Sequence, residues 1–153
     1  MEKNLSVVGQ RLPMLDAAAK ATGTTQFTDD LVLPGTLHGK ILRSPHAHAK
    51  IISIDTSRAE ALPGVKGVVT GKDIPDRAFG IVPKGKDEHA LARHKVRYIG
   101  DSVAAVCATD PSIAEEALEL IRGGYEAVPA GFDPLGAREE GAPLVHEGGE
   151  ENT

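Results

Sequence analysis

The spacing of apolar positions changes several times along this chain, and each change marks an element. The clearest run is Ser102–Thr109, SVAAVCAT, continuous, small and apolar, the pattern of a buried strand. Directly after it, Ile113, Ala114, Ala117, Leu118 and Ile121 fall at helical spacing and predict a helix over Pro111–Arg122. Asp110 caps it, Pro111 takes the first helical position, and Glu115 and Glu116 lie towards the positive end of its dipole. Arg122 and the pair Gly123-Gly124 supply the expected stop.

Shorter elements surround this pair. Thr36–Arg43 reads as a strand broken at Ser44-Pro45, because the residue before proline is pushed out of the helical region. Ala49–Asp55 is a second strand, and Asp55 suits the cap of a short helix over Thr56–Leu62 that stops at Pro63-Gly64. Val65–Thr70, Val96–Ile99 and Tyr125–Val128 complete the strands, while short helices are expected after Asp16 and over Asp133–Arg138. Residues 76–94, DRAFGIVPKGKDEHALARH, hold no period and predict a long surface loop ending near Leu91; such loops are often functional. Residues 1–13 read as an extended lead-in, and HEGGEENT from His146 onward as a frayed linker. The expected organisation is one domain over residues 1–145 and a linker over 146–153, in the α+β class, with a mixed sheet, a few short helices and one longer helix near 111–122.

Composition narrows the function. Aromatic residues make up only 3% of the 153-residue chain, so the core is built from Val, Ile, Leu and Ala, and a stacking platform for single-stranded nucleic acid is not expected. A net charge of −5 argues the same way against a general nucleic-acid surface or an anionic membrane surface. The first residues carry no apolar run of a signal peptide, and nowhere do about 18 apolar residues follow one another, so no membrane span is predicted and a cytoplasmic protein is expected.

Chemistry-bearing motifs are mostly missing. There is no phosphate-binding G-x-x-x-x-G-K-[ST] loop, no G-x-G-x-x-G turn, no G-x-S-x-G and no H-E-x-x-H. Cys107 sits among small apolar residues, where a thiol packs rather than reacts. His46 and His48, two residues apart, would share one side of an extended chain and offer two ligands to a metal, or else have a structural or surface role. His89 and His94 flank the end of the long loop. Lys84, Lys86, Arg93, His94, Lys95 and Arg97 form a local basic cluster that suits a phosphate or an acidic partner, or a solvated face.

Three segments together resemble one family. RSPHAHAKIISIDTSRAEALPGVKGVVTGKDIP at 43–75, LARHKVRYIGDSVAAVCATD at 91–110, and YEAVPAGFDP with GAPLVHE are similar in order and spacing to the amino-terminal domain of the large subunit of molybdenum hydroxylases. That family comprises xanthine dehydrogenase, aldehyde oxidase and carbon monoxide dehydrogenase, and within it the nearest likeness is to the 4-hydroxybenzoyl-CoA reductase large subunit. The resemblance implies an α/β-hammerhead fold in an oxidoreductase that uses molybdopterin, iron–sulfur clusters and often FAD. It implies as partners the later domains of the same large subunit and separate iron–sulfur and flavin subunits. Molybdenum contacts and the catalytic glutamate belong to those later domains, so this chain alone is expected to be inactive and to carry no catalytic, cofactor or metal residue. One feature carries over: the loop matching Ala78–Leu91 borders the substrate funnel in relatives, which makes Phe79, Gly80 and Ile81 candidates to line it. Gly123-Gly124 stand where relatives have a β-branched residue before the Tyr-Glu pair, which weakens that strand's start. A free-standing interaction module and a histidine-based metal-binding domain are the alternatives.

Overall fold

A computed structural model describes residues 5–81 and 86–146. The chain divides into two compact units, Met1–Thr36 and Leu37–Thr153.

In the first unit, helix α1 spans Ala17–Thr22 and stops at Gly23, whose backbone takes the left-handed region at φ 72°. Asp16 precedes it as expected but accepts no cap bond from the backbone; its carboxylate meets Lys20 one turn on at 2.6 Å. A short 3-10 turn over Thr28–Asp30 follows. None of the described residues of this unit is buried.

Among the described residues the second unit holds six strands, two α-helices and a 3-10 turn at Gly136–Arg138: β1 His38–Arg43, β2 Ala49–Asp55, α2 Ser57–Glu60, β3 Val65–Thr70, β4 Lys95–Val96, β5 Ser102–Ala108, α3 Pro111–Leu120 and β6 Arg122–Ala127. The expected α+β class, with few helices and one longer one, holds. Its strands divide into two three-stranded sheets, β1-β5-β3 and β4-β2-β6, and every pairing is antiparallel.

Strand β5 joins the two halves because its alternate residues serve different cores. Ala104 and Val106 point to α2 and α3, where they pack with Ala59, Ala117 and Ile121. Val103 points the other way into a second cluster with Ala49, Ala92 and Val96. Ile54 of β2 touches both clusters and ties one sheet to the other. With so few rings available, these cores are made of alanine and branched aliphatics, as the composition required.

Helix α3 starts as predicted: the Asp110 carboxylate accepts from Ser112 N at 2.8 Å and Pro111 opens the first turn. It ends earlier. Ile121 is already extended, and Arg122, Gly123 and Gly124 belong to β6 rather than to a helix stop. Glu115 and Glu116 lie beyond the first turn, and Glu115 serves instead as partner of Lys40 on β1 at 2.6 Å. The strand expected over Val96–Ile99 is also cut short. Asp101 turns its carboxylate back to Arg97 N at 3.0 Å, and Gly100 at φ 92° completes the reversal, so pairing stops at Val96. Of the linker expected over 146–153, all but His146 lies outside the described residues.

Candidate functional site

The loop predicted over residues 76–94 leaves β3 and returns to β4. Its departure is fixed by Asp73, whose Oδ2 accepts from the backbone N and the hydroxyl of Thr70, each at 2.7 Å. These bonds favour the ionised carboxylate and hold the Asp73 pKa below its ordinary value. Its return is fixed at Gly71. A Cβ there would come within 2.5 Å of Ala92 O and 2.8 Å of Arg93 Cα, so only glycine lets the two backbones pass. Arg93 reinforces the crossing by donating from Nη1 to the carbonyls of Gly71 and Ile74. Leu91 and Ala92 are buried, which places the end of the loop where the sequence put it.

Between these anchors the chain closes on itself. Phe79 and Glu88 exchange two backbone hydrogen bonds, N to O at 2.9 and 3.1 Å. Phe79 is half exposed and Ile81 is fully exposed, so two large apolar side chains are carried outward beside this bridge with Gly80 between them. The basic position expected at Lys84 falls outside the described residues.

Beside the base of the loop lies a cleft of about 430 Å³, walled by Asp87, His89, Arg97, Tyr98, Asp101 and His146 among others. His146 meets Asp87 at 3.1 Å and His89 meets Asp76 at 3.6 Å. Arg97 Nε donates to Val145 O at 3.3 Å, which draws the segment around Val145 over the cleft. Phe79, Gly80 and Ile81 do not line it.

His46 and His48 do not lie on an extended strand. The chain bends through Pro45, Ala47 and His48, so alternation along an extended strand does not apply. His46 lies against the Tyr125 ring at 4.9 Å between centroids, whereas His48 Nδ1 donates to Pro129 O at 2.7 Å. Each imidazole thus has its own partner, and among the described residues no three His, Cys, Asp or Glu side chains are grouped to hold a metal ion. The basic cluster disperses too: Arg93 faces the end of β3, Arg97 faces Val145, and Lys95 is buried.

The residues present do not fit the iron–sulfur clusters that the resemblance implies. A cluster of iron and sulfur needs several thiolates, and Cys107 is the single cysteine, half-buried on β5 opposite Gly67.

The two separate three-stranded antiparallel sheets and the ten-residue helix agree with the hammerhead fold that the resemblance implies. Residues 22–129 match the family model described as "Aldehyde oxidase and xanthine dehydrogenase, a/b hammerhead domain", and the chain belongs to that family. It is 43% identical over 127 residues to the carbon monoxide dehydrogenase large chain of Afipia carboxidovorans, covering 82% of this chain and 16% of that protein. It is 37% identical over 147 residues to the nicotinate dehydrogenase large molybdopterin subunit of Eubacterium barkeri, covering 95% of this chain and 34% of the relative. Among solved structures, the aldehyde oxidoreductase of Desulfovibrio desulfuricans superposes with a TM-score of 0.83 at 32% identity, over 92% of this chain and 17% of its own. The chain therefore spans about a sixth to a third of the length of these relatives.

Proposed function

We propose that this chain is the scaffold domain of a molybdopterin-dependent dehydrogenase or hydroxylase large subunit and is not catalytic by itself. In this reading the complete enzyme carries molybdopterin and iron–sulfur clusters, with FAD in a further subunit, and works in the cytoplasm. It oxidises or reduces a small aromatic or aldehyde substrate, with an aromatic acyl-CoA, as in 4-hydroxybenzoyl-CoA reductase, the particular candidate. Its partners are the remaining domains of the large subunit and the iron–sulfur and flavin subunits.

The observation that carries this reading is the spread of exposed apolar side chains over the second unit. Ile41 on β1, Ile52 on β2, Val69 on β3, Tyr98 and Ile99 after β4, and Phe132 and Leu135 after β6 are all exposed. A self-sufficient interaction module would gather such residues into one compact patch; a domain packed among neighbours exposes them on several sides. The loop then has a specific task. Phe79 and Ile81, held outward by the Phe79–Glu88 bridge with Gly80 between them, line the substrate passage of the assembled enzyme.

The test is Phe79→Ser with Ile81→Ser in the assembled enzyme. KM for an aromatic substrate is expected to rise about tenfold, the loss of about 1.4 kcal/mol of apolar contact, with molybdenum content unchanged. An unchanged KM would remove the loop from the passage.

A further inference from the structure

A second cleft, of about 290 Å³, lies beside the first and shares Arg97, Tyr98 and Val145 with it. The two differ in charge. Asp87, Glu88 and Asp101 line the first, whereas among the described residues no aspartate or glutamate lines the second. Tyr98, Ile99 and Phe132, all exposed, form much of its wall. Two of the chain's five aromatic side chains (three Phe and two Tyr) thus stand at one small cleft.

The cation of this cleft is Arg97, a side chain charged at any ordinary pH. Its Nε donates to Val145 O at 3.3 Å, which holds the half-buried guanidinium in place, and its backbone N donates to Asp101 Oδ2 at 3.0 Å. The two Nη groups make no hydrogen bond or ion pair with a described residue. Together they are the end of a planar fork that can donate to both oxygens of one carboxylate. His48 also borders the cleft, but its Nδ1 is bonded to Pro129 O and its Nε2 is sealed from solvent, so no charge is asked of it.

We propose that this cleft binds a small aromatic monocarboxylate, with its carboxylate on the Nη groups of Arg97 and its ring against Tyr98, Ile99 and Phe132. One guanidinium balances one negative charge, which favours a carboxylate over a phosphoryl dianion. The volume, at the lower end for ligand clefts, suits a single ring, and the two aromatic walls favour a flat one. The site is built from this chain's own residues and does not rest on the enzyme reading above.

The test is titration of sodium benzoate into the purified chain at constant ionic strength, following the Tyr98 and Phe132 ring resonances by NMR. Saturable shifts with Kd about 1 mM or tighter are expected. Benzyl alcohol keeps the ring without the charge, and acetate keeps the charge without the ring; each should bind at least about tenfold more weakly. Phe132 is 82% exposed, so Phe132→Ser should keep the fold, checked by circular dichroism, and weaken benzoate binding about fivefold with Tyr98 as the reporter. Arg97→Lys keeps the charge but loses the fork and should weaken it about tenfold. Absence of saturation, either analogue binding as tightly as benzoate, or an unchanged Kd in folded Phe132→Ser or Arg97→Lys would each overturn the proposal.

Discussion

At the scale of single residues, carboxylates and glycines set the geometry of this domain more than large side chains do. Asp55 and Asp73 each turn back onto a neighbouring hydroxyl and backbone N–H: Asp55 onto Ser57, Asp73 onto Thr70. Both pKa values are lowered, first by the side-chain bond and then by the backbone bond. A carboxyl whose pKa falls on folding stabilises the folded state above its unfolded value of about 3.9, and that contribution is lost as pH drops through the folded pKa. The Asp73→Asn variant should therefore show a shallower fall of the urea midpoint between about pH 5 and pH 2 than the parent chain. Identical slopes would mean that the turn gains nothing from ionisation. Tyr125 shifts the other way, because burial disfavours the phenolate.

At the scale of elements, β6 shows where local pattern and tertiary cause part. Gly123 lies two residues before Tyr125 on the same face, and the Tyr125 ring folds back over it into the space a Cβ would occupy. Gly124 faces Ser53, whose hydroxyl oxygen would be 2.7 Å from a Cβ, at the register shift between Ile51 and Ser53. The pair that looks like a helix stop, or a weak strand start, is thus what lets an aromatic ring and a bulged partner close on the strand. Gly123→Ala should force the ring off its contact with His46 and cost about 1–3 kcal/mol in chemical denaturation. A loss below about 0.5 kcal/mol would show that the ring moves aside freely. Helix α3, by contrast, was readable in full at its start, because cap, proline and apolar period are all local signals. The early end of β4 was not read, although its turn, Asp101 Oδ2 accepting from Arg97 N, is local. The partner of His48 was hidden because it is a carbonyl 81 residues away.

At the scale of the whole molecule, the hammerhead was legible from three spaced segments. The separation after Thr36 was not, because no apolar pattern marks that point. Among its described residues, the unit before it has ten large apolar side chains at 48% exposure or more, from Leu5 to Leu33. The loop's anchors at Gly71, Asp73 and Leu91 were partly visible as turn residues and a returning apolar position, but the clash that reserves Gly71 for glycine is purely tertiary. The central claim is that these residues form a scaffold whose redox chemistry is supplied by other parts of an enzyme. Metal analysis tests it most directly: the chain is purified from a host that makes the molybdenum cofactor, and molybdenum, iron and dye-coupled dehydrogenase turnover are measured together. The account predicts folded protein without stoichiometric metal and without turnover. One molybdenum per chain, or turnover that follows the chain through purification, would contradict it.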